Sequence, residues 1–411
     1  MNKILIIGGG PAGMMAAIRA AELKQDVTIV EKNNSLGRKL LLTGNGRCNL
    51  TNACDLNSFL ESCSNNDFLR GAFKHFFNRE LMAFFESRGL KLKMEENNRV
   101  FPVTDRAQSV LEILQKETAK YKINVLYGLN IKELLVKNEK VSDVFLSDGK
   151  TLLADKIILA TGGASYPSTG SNGEGIRIVG RLGHEIIPLR AGLASMEIKE
   201  AYPKALEGLT LQKIRLRFHS DKNEIYSPVG DILFTKNGIS GPLVLSLSGK
   251  VGGWFGGSQK VFIDIDLKPE SDQAKIDSEF LALLQANPKK QIKNVLQLLM
   301  PDRFAAVLID AAKIPGNKLA SQISRKERTE LVSLIKGFRM EILKTAPIDK
   351  AMITCGGVST REINPLTMES KIVRGLYFAG EMIDVDGDSG GFNLQIAFST
   401  GYLAGQSAAS E

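Results

Sequence analysis

The stretch that decides the fold is KILIIGGGPAG, residues 3–13. It contains a short continuous apolar run, which is typical of a strand buried on both faces. Glycines follow directly, a segment of helical composition comes next, and DVTIVEK at 26–32 predicts a second strand. A strand, a helix and a second strand in about 30 residues form a βαβ unit. We therefore predict an α/β domain with a parallel sheet.

Three glycines at the turn between the first strand and the helix predict a dinucleotide site. Gly8, Gly10 and Gly13 form the pattern G-x-G-x-x-G, and Pro11 and Ala12 stand between them. In this pattern the first glycine permits a tight turn, the second lets the backbone approach a pyrophosphate, and the third lets helix and strand pack closely. The helix N-terminus then presents free N–H groups to the phosphates.

An acidic residue at the end of the second strand narrows the choice of nucleotide. Glu31 follows Gly13 by eighteen residues, where a carboxylate accepts hydrogen bonds from a ribose 2′-hydroxyl. Its neighbour Lys32 is expected to contact the cofactor as well. Because an acid at this place disfavours a 2′-phosphate, the pattern predicts FAD or NAD(H) and not NADP(H).

A glycine-rich segment near the C-terminus favours FAD. In GLYFAGEMIDVDGDSGGFNLQIAFSTG at 375–401, an apolar strand is followed by a sharp turn and a helix. The N-terminus of that helix is expected to stabilise negative charge on a reduced flavin ring. A long cofactor that spans the domain needs such a returning segment, whereas a simple NAD dehydrogenase does not. The cofactor contacts expected here and at the end of the strand ILATGG are Gly380, Glu381, Asp384, Gly391, Phe392, Asn393, Gln395, Thr161 and Gly162.

The segment TGSNGEG at 169–175 is a weaker candidate for a second phosphate loop. No strand leads directly into it, and no acidic residue follows at a suitable distance. The sequence therefore shows no clear second dinucleotide site. If NAD(P)H is the reductant, we expect it to visit the flavin only transiently.

The segment GRKLLLTGNGRCNLTN at 37–52 is expected to lie along the cofactor. Arg38 and Lys39 are suited to neutralise phosphate charge. Cys48 suggests thiol redox chemistry, but Cys54 is not at the C-x-x-C spacing that such chemistry favours, so a small packed residue is the preferred interpretation. The other cofactor contacts expected here are Gly44, Asn45 and Gly46, and the expected catalytic residues are Arg47, Asn49 and Asn52.

The sequence pattern changes near residue 190 and again near residue 345. Segments with period-two alternation predict a β-barrel domain, a stretch without strand patterns predicts inserted helices, and the glycine-rich pattern then resumes. We predict a cofactor-binding domain at 1–190 and 346–411, a β-barrel domain at 191–270 and 334–345, and a small helical insert at 271–333.

Most of the net charge of +8 comes from residues 286–345, which hold twelve Lys or Arg and five Asp or Glu. A solvated helical surface is the preferred interpretation, and an anionic partner is the alternative. Phe304 and Phe338 are the only aromatic residues there, so stacking on nucleic-acid bases is disfavoured.

The composition disfavours several other classes of protein. With four Cys and three His at unsuitable spacings, neither a metal site nor a disulfide framework is expected. No apolar run reaches the length of a membrane helix, and the N-terminus is typical of a strand instead of a signal peptide. A cytoplasmic protein is the expectation, and the sequence does not predict the oligomeric state.

Several motifs together resemble one bacterial flavoprotein family. They are GGGPAG, GRKLLLTGNGRCNLTN, ILATGG, GDILFTKNGISGP (230–242), TCGGV (354–358) and LYFAGEMIDVDGDSGGFNLQIAFSTG. This set is similar to the BaiN/RdsA/aminoacetone oxidase-like family over essentially the whole chain. The resemblance implies FAD, a glutathione-reductase-like Rossmann-type domain, a β-barrel domain and a small helical insert. Characterised relatives include an aminoacetone oxidase and a reductase of unsaturated bile-acid intermediates; Cys355 is given no catalytic role.

The expected function is that of an FAD-dependent oxidoreductase. It would transfer a hydride between flavin and a small organic substrate, an amine or an enone of steroid type, with NAD(P)H or O2 as the other partner. Two alternatives stay open, namely an RNA-modifying flavoprotein associated with nucleic acid and a non-catalytic FAD-binding protein.

Overall fold

The computed structural model describes residues 1–255 and 259–410. The chain divides into two compact units. Unit 1 comprises Met1–Ala191 and Ile348–Glu411, and unit 2 comprises Gly192–Pro347. The division into three domains, with the helices as a domain of their own, stays a prediction.

The first part of unit 1 contains eleven strands and six helices. The strands are β1 (Lys3–Ile7), β2 (Asp26–Glu31), β3 (Thr51–Asn52), β4 (Leu92–Glu95), β5 (Arg99–Pro102), β6 (Asn124–Tyr127), β7 (Ile131–Lys137), β8 (Lys140–Leu146), β9 (Thr151–Leu153), β10 (Lys156–Leu159) and β11 (Ile186–Gly192). The helices are α1 (Pro11–Glu22), α2 (Leu56–Glu61), α3 (Asn66–His75), α4 (Asn78–Glu86), α5 (Ala107–Lys120) and α6 (Glu174–Arg181).

Unit 2 follows with seven strands and six helices in its described residues. The strands are β12 (Met196–Ile198), β13 (Thr210–His219), β14 (Glu224–Tyr226), β15 (Gly230–Thr235), β16 (Gly238–Ser240), β17 (Val261–Asp266) and β18 (Phe338–Thr345). The helices are α7 (Tyr202–Leu206), α8 (Pro242–Gly252), α9 (Gln273–Ala286), α10 (Ile292–Leu296), α11 (Asp302–Ala311) and α12 (Arg325–Lys336). The chain then returns to unit 1 with β19 (Ile353–Val358), β20 (Leu376–Phe378) and α13 (Phe392–Ser410).

A five-stranded parallel sheet forms the centre of unit 1, with the strand order β20-β10-β1-β2-β6. The predicted α/β class with a parallel sheet is confirmed. The apolar run of β1 is buried, as expected of a central strand covered on both faces. The carboxyl ends of β1, β10 and β20 lie at one edge of this sheet, so their loops meet there.

Helix α13 packs closely along α1 because glycines face it at two places. A Cβ on Gly401 would overlap the carbonyl oxygen of Ala12, and one on Gly405 would overlap that of Ala16. The C-terminal helix therefore braces the helix that begins at the glycine turn. No helix in the described part of the chain is long and apolar enough to cross a membrane. The cytoplasmic location stays a prediction.

The strands of unit 2 pair in a closed ring. The antiparallel sheet runs β13-β15-β16-β12-β18-β17, and β17 pairs back to β13. Its core also includes helix side chains such as Phe304 of α11, whose ring centroid lies 5.3 Å from that of Phe338 at the start of β18. The two aromatic residues of the basic segment are therefore core residues.

Candidate functional site

The glycine turn has the geometry that its sequence pattern predicts. Gly8 adopts φ +106°, a left-handed conformation that side chains disfavour. A Cβ on Gly13 would overlap the carbonyl oxygen of Gly8, so the third glycine is needed for packing of α1 on β1. By contrast, a Cβ on Gly10 would meet no protein atom within 4 Å, although Gly10 lines a cleft. The second glycine thus leaves room for something other than protein.

That cleft lies within unit 1 and has an empty volume of about 1320 Å³, counting its solvent-open part. Its walls come from the glycine turn, the end of β2, the 37–43 segment, the end of β10 and the C-terminal return. Thirteen of the predicted site residues line it: Gly8, Gly10, Pro11, Ala12, Glu31, Lys32, Arg38, Lys39, Thr161, Gly162, Gly380, Glu381 and Asn393.

The groups that face the cleft fit a dinucleotide. Helix α1 begins at Pro11 without a side-chain cap and without an acidic residue in its first turn, so its free N–H groups can receive an anion. The hydroxyls of Thr161 and Ser171 are buried on the cleft wall and have no hydrogen-bond partner in the structure. Buried polar groups normally have partners, so these two hydroxyls suit the oxygens of a bound cofactor.

The end of β2 is built around Glu31, which is buried. One carboxylate oxygen accepts from the Gly9 N–H at 2.8 Å, and the other accepts from the backbone and side-chain amides of Asn33 at 2.8 and 2.7 Å. The Oε2 that accepts from Gly9 has a second lone pair without a donor, so Glu31 keeps the capacity to accept a ribose hydroxyl. Burial lowers the pKa of the neighbouring Lys32, although Glu174 and Glu31 oppose this shift.

Lys39 and Glu381 form an ion pair at the cleft wall. The Lys39 Nζ lies 2.6 and 2.9 Å from the two carboxylate oxygens and also contacts the Ser165 hydroxyl. Glu381 Oε1 further accepts from the Ser165 hydroxyl at 2.9 Å and from the Thr354 N–H at 2.8 Å. Both side chains are therefore engaged with each other, and the direct phosphate and ribityl contacts expected of them stay predictions.

The 37–52 segment enters the cleft only with its first half. Gly44, Asn45 and Gly46 end a short 3₁₀ helix, are exposed and lie outside the cleft lining. Arg38 is exposed at the cleft and donates to the Asn33 Oδ1 at 2.8 Å. The contact with cofactor expected of residues 44–46 stays a prediction that the cleft lining does not support.

The three predicted catalytic residues differ in their surroundings. Arg47 pairs with Glu95 and Asp105 and lies over the Phe101 ring at 4.2 Å. Asn52 donates to two backbone carbonyls and accepts from the Cys54 N–H. Asn49 differs, since its Oδ1 is buried without a partner. Arg47 and Asn52 thus brace the loop, while Asn49 keeps a free acceptor.

The other predicted residues of the C-terminal return hold α13 in place. Gln395 accepts from the Thr51 hydroxyl at 2.6 Å, and a Cβ on Gly391 would overlap the Thr51 backbone. Phe392 packs on Phe59 with ring centroids 4.7 Å apart. None of Gln395, Gly391 and Phe392 lines the cleft.

Asp384 also lies outside the cleft lining. It accepts from the Asn65 side chain at 3.0 Å, and burial raises the pKa of its carboxyl. The cofactor roles of Asp384, Gln395, Gly391 and Phe392 stay predictions.

Two of the groups of residues that line the cleft were not among the predicted site residues. The segment 169–172, set aside as a second phosphate loop, lines the same cleft, as do Leu129, Asn130 and Ile131. The hydroxyl residues and the glycine of 169–172 are the local sequence feature from which the first group could have been predicted. No local signal marks the second, because residues 129–131 reach the cleft through the meander that follows β6.

Cys48 is fully buried in the core of unit 1. Burial raises the pKa of its thiol to about 12, although a hydrogen bond with Thr43 opposes this shift. A thiol with such a pKa is protonated near neutral pH and is a poor nucleophile. The packed-residue interpretation is therefore favoured over redox chemistry.

Similarity to known proteins extends over nearly the whole chain. The HI0933-like protein Rossmann domain matches residues 2–407. The 3-dehydro-bile acid delta(4,6)-reductase of Clostridium scindens is 34% identical over 100% of this chain and 99% of its own. The ribosomal RNA dihydrouridine synthase of Escherichia coli is 30% identical over 98% of this chain and 96% of its own.

Among solved structures, a quinol-fumarate reductase with menaquinol molecules shares the fold. Its TM-score is 0.53 at 14% identity, covering 99% of this chain and 70% of that chain. The match of the domain model and the two full-length relatives agree with the motifs of the glycine turn and the C-terminal return. The chain therefore belongs to the HI0933-like family of FAD-dependent oxidoreductases, the BaiN/RdsA-type flavoproteins.

Proposed function

We propose that this protein uses FAD to reduce a carbon–carbon double bond conjugated to a carbonyl group. The observation that carries the proposal is the full-length similarity to two relatives whose names describe related chemistry. A 3-oxo compound with double bonds at positions 4 and 6 is a conjugated dienone. Dihydrouridine is uridine whose C5=C6 bond, conjugated to the C4 carbonyl, has been reduced. The same electronic arrangement thus underlies both names.

The residues of the cleft would hold the cofactor mainly with neutral donors. In this proposal the α1 N-terminus and the turn at Gly8–Ala12 receive the pyrophosphate, and Glu31 accepts from the ribose. Thr161 and Ser171 supply the two unpartnered hydroxyls. Bound FAD would supply the two-electron chemistry that no protein side chain provides.

The reaction would balance with NAD(P)H as the electron source. The substrate gains a hydride at its β carbon and a proton at its α carbon, and NAD(P)H is oxidised to NAD(P)⁺. We propose that the nicotinamide visits the site transiently, because the sequence shows no clear second dinucleotide motif. Dioxygen, as the acceptor in an oxidase, is the competing possibility. Asn49 is the candidate to orient the substrate by accepting a hydrogen bond from one of its N–H or O–H groups, since the Asn49 Oδ1 is buried without a partner.

An anaerobic titration of the holoprotein tests the proposal. NADH or NADPH is expected to bleach the flavin, and a 4,6-dien-3-one steroid or uridine is then expected to restore its colour without oxygen. Free FAD under the same conditions is the control. Bleaching by aminoacetone, followed by peroxide formation on admission of air, would contradict the proposal and indicate an amine oxidase.

A second candidate function is reduction of a uracil base within RNA. The relative from Escherichia coli and the basic segment 286–345 favour it. It shares the bond chemistry of the first candidate and differs in the size and charge of the substrate. A non-catalytic role would be indicated if no amine, amino acid or nicotinamide reduced the bound flavin.

A further inference from the structure

We propose that a basic patch on unit 2 binds the phosphate backbone of base-paired RNA. The patch is defined as Lys289, Lys290, Lys293, Arg325 and Lys326, all of which are exposed. This inference deepens the proposed function in its RNA form, because it assigns a surface that would hold a nucleic-acid substrate.

Backbone pairing places the chain just before Arg325 and Lys326 beside the lysines at 289–293. The Ile292 N–H donates to the Lys318 carbonyl at 2.8 Å, and the Ala320 N–H donates to the Lys290 carbonyl at 2.9 Å. The Ser321 N–H reaches the Pro288 carbonyl at 3.2 Å. Residues paired in this way lie about 5 Å apart. The lysines at 289–293 therefore neighbour the short segment that leads into Arg325 and Lys326.

The cations of the patch are unpaired, whereas other cations of the segment are paired. Within the described residues, none of the five patch side chains forms an ion pair. Five other cations of the segment are paired, since ion pairs join Lys318 to Glu327, Arg328 to Asp277, Lys336 to Asp266, Arg339 to Asp264 and Lys344 to Glu197. The charge surplus of the segment is therefore concentrated in the patch.

Two cations of the patch lie at a helix N-terminus, where a positive charge lowers helix stability. Arg325 and Lys326 occupy the first turn of α12, next to the positive end of the helix dipole. A cation in that place is unfavourable at low ionic strength, because it is repelled by the dipole. The helix end is already satisfied, because Ser324 and Glu327 form a capping box. The two cations therefore add positive potential that suits an anionic partner.

The chemistry of the patch favours contact with phosphates over contact with bases. Single-stranded nucleic acid is commonly held by stacking on aromatic side chains. The only aromatic residues of 286–345, Phe304 and Phe338, are buried in the core of unit 2. A duplex of A-form RNA, in contrast, is recognised through its shape, phosphates and 2′-hydroxyls. Base-paired RNA is thus the partner that these side chains fit.

Fluorescence anisotropy of a labelled RNA hairpin tests the patch, with oxidised holoprotein and no electron donor. One variant carries K289Q, K290Q, K293Q, R325Q and K326Q. The matched control carries K24Q, K74Q, K91Q, K116Q and K140Q, five exposed lysines of unit 1 with no ion pair among the described residues. The patch variant is expected to bind at least about tenfold more weakly at moderate salt than the control.

The salt dependence gives a second readout. The slope of log affinity against log salt is expected to fall by roughly 0.9 for each cation that contacts a phosphate. Equal affinity and slope in the patch variant and the control would overturn the proposal, as would undetectable binding by the unaltered protein. Tighter binding to single-stranded polyuridine than to the hairpin would overturn the base-paired form.

Two further measurements separate this proposal from others. Loss of binding to phosphatidylserine vesicles in the patch variant, with RNA binding intact, would assign the patch to membranes and overturn the RNA assignment. Anaerobic reduction of a small dienone, measured separately, is expected to be unchanged in the patch variant. Failure of that reduction in the unaltered protein would therefore contradict the proposed function and leave the RNA-binding result standing.

Discussion

The cleft of unit 1 and the basic patch of unit 2 differ in the kind of side chain that each leaves without a partner. In the cleft, Lys39 is paired with Glu381 and Arg38 donates to Asn33, while the buried groups without a partner are the neutral hydroxyls of Thr161 and Ser171. In the patch, five cations are exposed without an ion pair among the described residues. The difference indicates that the cleft selects its ligand by shape and directed hydrogen bonds, whereas the patch attracts by charge that salt can screen.

The largest expected effect is on stability, and it distinguishes Gly13 from Gly10 in the glycine turn. Gly13→Ala is expected to lower the free energy of unfolding by about 3 kcal/mol, because the added Cβ overlaps the Gly8 carbonyl oxygen. Gly10→Ala is expected to leave the apoprotein fold intact and weaken FAD binding, because its Cβ enters only the cleft. Chemical unfolding of the apoproteins and titration with FAD measure the two effects. A Gly10→Ala protein that bound FAD with unaltered affinity would contradict selection by shape.

The Lys39–Glu381 ion pair gives the next largest effect. Replacing either residue, as Lys39→Met or Glu381→Gln, is expected to lower the free energy of unfolding by about 1–3 kcal/mol. The reason is that the charge of the remaining partner is then unpaired and three-quarters buried. The double variant is expected to recover part of that cost. Chemical unfolding of the two single variants and the double variant measures the coupling. Strictly additive costs would show that the two side chains do not act as a pair.

The smallest expected effect concerns the loop that borders the cleft. Asn49→Ala is expected to lower the rate of enone reduction by about tenfold, equal to about 1.4 kcal/mol, with FAD still bound. Arg47→Lys is the variant with which the turnover of Asn49→Ala is compared. It keeps the positive charge, and Arg47 is already paired with Glu95 and Asp105. Steady-state turnover and flavin absorbance are measured on the same samples. Full turnover by the Asn49→Ala protein would remove Asn49 from the reaction.

The turn at Gly8–Gly13 and the acid at Glu31 are predictable from sequence for a physical reason. Backbone sterics and strand–helix alternation depend on near neighbours in the chain, so their signal is local. The pairing of Lys39 with Glu381 has no such signal, because 342 residues separate the two. The same holds for residues 129–131, which reach the cleft through sheet topology.

The sequence by itself determined the βαβ unit, the glycine turn, the family and the surplus of positive charge in 286–345. The tertiary structure decided where that charge is left unpaired, which cation of the cleft is neutralised, and which of Arg47, Asn49 and Asn52 keeps a free polar atom. It also decided the closure of the unit 2 sheet through β13 and β17. Charge pairing and ring closure join residues far apart in the chain, so only the folded geometry settles which groups become partners.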